Sequence, residues 1–162
     1  MGDLKGWLPW TKSCFVCGED NQRGLRLRSW IEDGVVSLAY RTRIEDVGYR
    51  HIVHGGISMT LLDEVMAWAA IVELGKICVA AEMSTRFRAA LEADVEIRVE
   101  GRVERATRRV CYSSGRILDA DGREMLTASA KYMPMPDQGV QLCEKDFVIS
   151  PESIHPDRIT AK

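Results

Sequence analysis

The stretch from about Gly56 to Leu74 constrains the fold more than any other part of the chain. Its apolar residues fall on nearly every side of a helix instead of forming one stripe, so other elements must enclose that helix. They are Ile57, Leu61, Leu62, Val65, Met66, Trp68, Ala69, Ile71 and Val72. Gly75 follows where a C-terminal helix cap is expected. One long buried helix among strand-like segments predicts an α+β fold in which a sheet wraps the helix.

Strand-like segments lie on both sides of this helix in the sequence. Before it they are Leu25–Trp30 and Val35–Arg43, and after it they are residues 78–88, 94–105, 109–118 and 124–133. Hairpin turns are predicted at Glu32–Gly34 and Asp119–Gly122, and residues 44–55 are a predicted connecting loop. This order predicts an antiparallel sheet around one central helix.

Length and composition fit one soluble domain. A chain of 162 residues is long enough for a hydrophobic core. We predict a single domain over residues 1–162, with an irregular segment at 1–24 and an extended tail at 134–162. That tail holds at most a short turn near Cys143–Phe147. The 22 Lys+Arg and 24 Asp+Glu give a net charge of -2, which argues against nucleic-acid binding.

The sequence also predicts a compartment. The opening residues contain no continuous apolar stretch, so no secretory signal is expected, and no segment has the composition of a membrane span. The five cysteines are an odd number without the spacing of a disulfide scaffold, which fits a reducing environment. We therefore expect a cytoplasmic protein that does not bind membranes.

A His54-Gly55-Gly56 turn opens the helix, and Asp63 and Glu64 lie in its apolar middle. Exposed N–H groups at a helix start form a ready site for an anion or a polarised carbonyl oxygen. An acid in an apolar helix is costly unless it is neutralised, paired or used. The turn and the acids together indicate acyl chemistry.

The order of elements and this turn resemble the hotdog fold. More narrowly, the chain is similar to the thioesterase superfamily that contains 4-hydroxybenzoyl-CoA and phenylacetic-acid-pathway thioesterases. The matching motifs are His54-Gly55-Gly56, Leu61-Leu62-Asp63-Glu64, Phe15-Val16-Cys17-Gly18, Asn21-x-x-Gly24-Leu25 and Arg86-Phe87-Arg88. The resemblance covers roughly residues 14–133.

The resemblance implies roles for two residues. Asp63 has the position of the catalytic carboxylate, which serves as nucleophile or general base, and Gly55 that of the N–H donor to the thioester carbonyl. The chain departs from the pattern twice. Gly48 stands where many members have Asn or Gln, and Ala80 aligns where many carry the Ser or Thr that holds water. Nearby Ser84 or Thr85 is a possible substitute for that hydroxyl.

Helix geometry separates the two implied residues. Gly55 and Asp63 are eight residues apart, which is about 12 Å along a helix. Reacting groups must approach within roughly 3–3.5 Å, so the two residues serve one carbonyl only if they come from different chains. The chemistry therefore predicts a homodimer with two interface sites, as the hotdog resemblance also implies. Whether two dimers form a homotetramer stays open.

Other residues near the motif have weaker assignments. Gly56 is a second possible N–H donor, and His54 shapes the turn or caps the helix more readily than it transfers protons. Apolar neighbours such as Met59 should strengthen Asp63 as a base. Tyr49 lines an acyl pocket or packs in the core. Glu64 either contacts substrate or pairs with an arginine, and Arg86 is a candidate substrate contact.

No metal or cofactor is expected, apart from the coenzyme A carried by the substrate. His51 and His54 lack a third ligand. Cys14-x-x-Cys17 resembles half a zinc site, which Cys143 and His155 could complete, but a structural turn is the preferred interpretation.

The predicted function is that of an acyl-CoA thioesterase, a hydrolase that converts a thioester to a carboxylic acid and free coenzyme A. Two alternatives remain. One is a non-catalytic acyl-CoA binding or sensing module on the same fold. The other is a hotdog dehydratase or hydratase, for which the expected paired acid and histidine motif is not found.

Overall fold

The structure is a computed structural model that describes residues 4–136 and 144–160. The predicted central helix, α1, spans Gly55–Leu74. It ends at Gly75, whose φ of 63° is left-handed and whose N–H donates to the Ile71 carbonyl at 2.8 Å. Side chains on all sides of α1 are buried, which confirms that the helix is enclosed.

The main sheet has seven strands in the order β1-β3-β4-β8-β9-β10-β7, and every adjacent pair is antiparallel. Its strands are β1 (Gly6–Trp7), β3 (Trp30–Glu32), β4 (Val35–Arg41), β7 (Cys78–Phe87), β8 (Glu96–Ala106), β9 (Cys111–Leu118) and β10 (Glu124–Pro134). Both predicted hairpin turns are present. The first joins β3 to β4 through Asp33 and Gly34, which have φ values of 49° and 75°. Two positive φ angles are typical of the tight turns that suit twisted strands.

The helix lies very close to the sheet at two facing glycines. Gly101 of β8 and Gly115 of β9 are direct partners in the strand register. A Cβ atom on Gly101 would lie 2.7 Å from the Val65 carbonyl carbon and 2.8 Å from the Met66 nitrogen. One on Gly115 would lie 3.0 Å from Met66 Cγ. Only residues without side chains allow α1 to pack this closely.

The strand predicted at Leu25–Trp30 is placed wrongly, because β3 begins only at Trp30. The preceding backbone is occupied by the N-terminal segment. The amides of Leu25 and Leu27 both donate at 2.8 Å, to the carbonyls of Phe15 and Val16. Between them Arg26 has a φ of 54°, which interrupts an extended strand.

The predicted connecting loop at 44–55 is also more ordered than expected. It contains a 3₁₀ turn at Ile44–Asp46 and a small pair of strands, β5 (Val47–Tyr49) and β6 (Ile52–Val53). The Asp46 carboxylate is buried and accepts hydrogen bonds from the Tyr40 hydroxyl and from the Arg43 amide, which holds the turn against β4.

Both terminal segments pack on the core. In the N-terminal segment, β2 (Trp10–Thr11) pairs with β11 (Phe147–Val148) of the tail, and the short helix α2 (Asp157–Thr160) follows. The buried core therefore includes Leu8 at one end of the chain and Ile159 at the other. Cys143, part of the short turn predicted in the tail, lies outside the described residues. No helix within the described ranges is both long and apolar enough to cross a membrane.

Strand β7 forms one edge of the main sheet and is largely exposed. It is ten residues long, and its apolar residues Val79 and Phe87 are 46% and 54% exposed. The register with β10 shifts once, beside Tyr132. A long exposed edge presents unpaired backbone groups, so it is a template for another strand.

Candidate active site at the start and middle of the central helix

His54 caps α1 through its side chain. Its Nδ1 atom accepts a hydrogen bond from the Gly56 amide at 2.9 Å. The Gly56 N–H is therefore already used within the chain, whereas the Gly55 N–H has no acceptor among residues 4–136 and 144–160. Of the two predicted N–H donors, Gly55 is the one open to a ligand.

Gly48 packs directly against the cap. A Cβ atom at this position would lie 3.0 Å from His54 Cδ2 and 3.2 Å from its Cα. A side chain such as Asn or Gln at residue 48 would therefore push the histidine aside. This close contact gives a physical reason for the first departure from the thioesterase pattern.

A cavity of about 440 Å³ opens beside the helix start. Gly55 lies on its wall, and a Cβ atom there would meet the Phe87 ring at 3.1 Å. The lining is mostly apolar and includes Ile52, Val53, Leu91 and Leu126. Tyr49 also lines it but is 83% exposed, so Tyr49 is no part of the core.

Asp63 lies at the middle of α1 and faces Tyr132 of β10. The Tyr132 hydroxyl donates to Asp63 Oδ1 at 2.7 Å and approaches the Asp63 carbonyl at 3.2 Å. Asp63 Oδ2 has no hydrogen-bond partner in the described part of the chain. Burial, and then the charge of Asp63, raise the pKa of Tyr132, so this hydroxyl stays protonated and acts as a donor.

Sequence reasoning missed Tyr132. Its signal is present in the alternation of β10, where Ala128, Ala130 and Tyr132 are buried. A polar hydroxyl on the buried face of a strand needs a partner. That requirement indicates a contact with α1 but does not say which helix residue supplies it.

The strand register decides between the two hydroxyl candidates of β7. Ser84 lies opposite the exposed Ser129, whereas Thr85 lies opposite the buried Ala128. Thr85 therefore faces the helix and Ser84 faces away from it. Thr85 Oγ1 is buried and has no hydrogen-bond partner within the described residues. Ala80 lies opposite Tyr132 and supplies only a methyl group.

The other predicted contacts are separated by the fold. Met59 is 36% exposed and precedes Asp63 by one helical turn, so it shares the face of the acid. Arg86 is exposed on β7 opposite Thr127, on the same side of the sheet as Ser84. Met59 is therefore near the candidate site, and Arg86 lies on the outer side of its own chain's sheet.

Glu64 points to a different part of the molecule from Asp63. Its side chain is buried, and Oε1 accepts a hydrogen bond from Trp68 Nε1 at 2.9 Å. Oε2 lies 4.0 Å from Cys14 Sγ. Burial, and then the neighbouring Cys14, raise the pKa of Glu64 to about 7. Among the described residues Glu64 contacts Trp68 and Cys14 and forms no ion pair with an arginine or lysine.

The histidines considered as metal ligands have other contacts. His155 Nδ1 lies 3.5 Å from Asp157 Oδ2, in the tail. His54 is used as the helix cap, and His51 occupies a turn with a φ of 60°. Among the described residues, neither the His51–His54 pair nor His155 belongs to a cluster of three or more metal-ligand atoms.

Comparison with known proteins supports the sequence interpretation. The sequence model of the Thioesterase superfamily matches residues 51–126. The solved thioesterase superfamily protein RHA08564 is 26% identical, with a TM-score of 0.68 over 74% of this chain and 59% of that one. An uncharacterised protein of Schizosaccharomyces pombe is 28% identical over 62% of this chain and 58% of its own length. This chain thus spans less than two thirds of that relative.

Two further solved structures share the fold. The PaaI protein of the E. coli phenylacetic acid degradation operon is 15% identical, with a TM-score of 0.61 over 68% of this chain and 78% of that one. A hypothetical thioesterase of Streptococcus pneumoniae, solved with coenzyme A, is 22% identical, with a TM-score of 0.59 over 64% and 82%. The fold is therefore the hotdog fold. Residues 51–126 carry the sequence pattern of the Thioesterase superfamily, which confirms the resemblance.

Proposed function

We propose that this protein is an acyl-CoA thioesterase that hydrolyses its substrate to a carboxylic acid and free coenzyme A. The observation that carries the proposal is a complementary pair of groups on one helix. Within residues 4–136 and 144–160, the Gly55 N–H at the helix start is open beside a cavity, and the Asp63 carboxylate is oriented by Tyr132 while its second oxygen has no partner. One group suits a carbonyl oxygen, and the other suits its carbon or an attacking water.

The roles follow from charge development in the reaction. The Gly55 N–H and the positive end of the α1 dipole stabilise the oxyanion, and one such donor is worth roughly 3–4 kcal/mol in comparable sites. Asp63 attacks the carbonyl carbon or removes a proton from water. The coenzyme A thiolate is a good leaving group because a thiol has a pKa near 8.5.

The proposed site needs two chains. Along α1, Gly55 and Asp63 are separated by eight residues, or about 12 Å, so one helix does not bring both to one carbonyl. The exposed edge of β7 supports a homodimer in which two copies pair at this edge. Each site then combines Asp63 of one copy with Gly55 of the other. The free thiols of the described cysteines fit a cytoplasmic location.

The comparisons support acyl-CoA as the ligand. The S. pneumoniae structure contains coenzyme A, and a similar structure from Streptococcus mutans contains acetyl CoA. Both similarities are to the fold, so the ligand class is carried over here as part of the proposal.

A non-catalytic acyl-CoA binding protein is the second candidate. The observation that favours it is the lack of polar side chains at two supporting positions. Gly48 packs tightly against His54 and carries no side chain, and Ala80 offers only a methyl group opposite Tyr132. A site that binds the thioester without holding a water would bind acyl-CoA but turn it over poorly.

Release of free thiol from a panel of acyl-CoA substrates tests the proposal. We expect turnover by the wild-type protein and a loss of at least ~10²-fold in kcat for Asp63→Asn, as for other positioned acids and bases. Asp33→Asn is the matched control, because Asp33 lies in the exposed turn between β3 and β4. Its rate should equal that of the wild type.

Sedimentation of the same proteins tests the assembly. Wild type and Asp63→Asn should both sediment at twice the chain mass or as a multiple of the dimer. A monomer that retains full turnover contradicts the interface site. Acyl-CoA binding by the wild type without thiol release would leave the binding-protein candidate in place of the enzyme.

A further inference from the structure

Cys14, Cys17 and Glu64 converge on one point at a different side of α1 from the proposed chemistry. One ligand-type atom from each, the two sulfurs and a carboxylate oxygen, lie within 4.8 Å of one another. The cysteines come from the N-terminal segment, and the acid comes from the central helix fifty residues later. The fold thus supplies a third group that the sequence spacing did not reveal.

The turn that carries the cysteines is built around their sulfurs. The Val16 amide points at Cys14 Sγ at 3.3 Å, and the Gly18 amide donates to the Cys14 carbonyl at 3.0 Å. A Cβ atom on Gly18 would lie only 2.3 Å from that carbonyl oxygen, so the turn requires glycine. The turn therefore directs a backbone N–H group at the sulfur of residue 14.

The third group is fixed in orientation. Trp68 Nε1 holds Oε1 of Glu64, so Oε2 is directed to Cys14. The Glu64 side chain is buried, and no cationic side chain among the described residues pairs with it. Two thiols and a buried carboxylate without a cation form a set that a divalent metal ion would neutralise.

We infer that Cys14, Cys17 and Glu64 form a binding site for a thiophilic divalent cation of the zinc type. Two sulfurs and one carboxylate oxygen are ligands that Zn²⁺ accepts. Tetrahedral zinc with Zn–S bonds near 2.3 Å needs sulfurs about 3.8 Å apart, so ligand atoms within 4.8 Å need only a small contraction. This replaces the expectation of no metal, which considered only cysteines and histidines as ligands.

The described part of the chain supplies three ligands, which leaves one position of a tetrahedral site to fill. That position faces a cavity of about 430 Å³, lined by Ile71, Ile77, Phe147 and the ligands themselves. Asp146 also lines the cavity, but its Oδ2 already accepts hydrogen bonds from Ser13 N and Oγ at 3.2 and 2.9 Å. A water molecule is therefore the expected fourth ligand. The ion would link the N-terminal segment to α1.

Titration of the full, metal-stripped chain with Co²⁺ under reducing conditions tests the site. We expect a thiolate-to-cobalt charge-transfer band that saturates at one equivalent per chain and disappears on addition of Zn²⁺. Cys17→Ser should weaken binding by more than the roughly 10–100-fold that outer-shell partners contribute. Cys111→Ser is the matched control, because Cys111 is a buried cysteine of β9 outside the cluster, and its titration should match the wild type.

Alkylation of the wild type gives a second readout that depends on no variant. With one equivalent of Zn²⁺, peptide mapping should show slower alkylation of Cys14 and Cys17 and an unchanged rate at Cys78. The inference is overturned if the wild type shows no stoichiometric cobalt band, or if Zn²⁺ leaves the alkylation of Cys14 and Cys17 unchanged. Either result would mean that protonated thiols and a protonated acid satisfy the cluster by hydrogen bonds. Asp63→Asn should retain the cobalt band, which separates this site from the proposed catalytic one.

Discussion

Asp63 and Glu64 are consecutive acids on one helix, yet their surroundings differ in almost every respect. Asp63 is half-buried, meets a tyrosine hydroxyl of the sheet and keeps one oxygen free of partners in the described chain. Glu64 is buried against the N-terminal segment, where it meets an indole N–H and two thiols. Neighbouring residues differ by about 100° around a helix, so each acid faces a different layer of the fold.

The difference shows how an enclosed helix supports two sites. A helix on a protein surface has one buried face and one solvated face. The helix α1 instead contacts the sheet on one side and the terminal segments on the other. The layer that each acid contacts determines its chemistry. Asp63 accepts a hydrogen bond from Tyr132 and keeps one oxygen free of partners in the described chain. Glu64 lies beside two cysteine sulfurs, and no described cation pairs with it.

Among the variants that test the difference between Asp63 and Glu64, we expect Tyr132→Phe to have the largest effect. Loss of the hydrogen bond to Asp63 should lower kcat by about 10- to 100-fold, because a hydrogen bond to a charged group is worth about 1.5–3 kcal/mol. KM should change little, since Tyr132 orients the acid and does not bind substrate in the proposed mechanism. Steady-state kinetics on the best acyl-CoA substrate measures both constants.

The matched control for this prediction is Tyr112→Phe. Tyr112 lies on the adjacent strand β9, where Arg105 stacks over its ring at 4.1 Å. Its replacement should leave kcat unchanged. Equal rates for Tyr132→Phe and wild type would show that Asp63 needs no orientation from the sheet.

Trp68→Phe should affect the Glu64 side and spare the Asp63 side. The change removes the donor to a buried carboxylate, which should lower the free energy of unfolding by about 1–3 kcal/mol. Denaturant unfolding measures the loss, and thiol release should stay within about twofold of the wild type. Trp30→Phe is a matched control, because Trp30 Nε1 also donates to a glutamate, but the carboxylate of that glutamate, Glu32, is partly exposed to solvent. If Trp68→Phe lowered turnover as much as Tyr132→Phe does, the proposed separation of roles between Asp63 and Glu64 would be wrong.

Thr85→Val should give the smallest change among these variants. We expect it to raise the free energy of unfolding and to lower turnover. Thr85 Oγ1 is buried without a partner among the described residues, and such a group costs about 1–3 kcal/mol. Valine has nearly the same shape, so the free energy of unfolding should rise by about 1 kcal/mol. Turnover should fall several-fold if the hydroxyl forms a hydrogen bond to the bound substrate or to water. Such opposite effects are common because functional sites often gain activity at the expense of stability. Thr127→Val, on the neighbouring strand, should show neither effect.

Much of the fold follows from patterns within single segments. The all-round apolar character of residues 57–72 predicts an enclosed helix, and the alternation in 94–105 predicts a strand that the structure has at Glu96–Ala106. The segment at Leu25–Trp30 fails because its amides bond to Phe15 and Val16, a contact that local propensity does not contain. Long-range backbone pairing is therefore what the sequence interpretation lacked.

For the candidate active site, too, the sequence predicted the local features but not the long-range contacts. The His-Gly-Gly turn and the spacing to Asp63 are local, and the structure has His54 as the cap and Gly55 at the start of α1. Tyr132 and the meeting of Glu64 with the two N-terminal cysteines depend on how distant segments pack. The side of β7 that Thr85 occupies depends on the strand register. Such contacts are set by tertiary structure, so residue types and spacing alone leave them undetermined.

The close packing of α1 on Gly101 and Gly115 has a consequence for evolution. Because these paired glycines set the height of the helix above the sheet directly below residues 65 and 66, they fix the positions of both preceding acids at once. Any drift from glycine at residue 101 would lift the helix and displace both carboxylates together. The regions around Asp63 and Glu64 therefore depend on the same glycine contact. Selection that maintains one region also maintains the other.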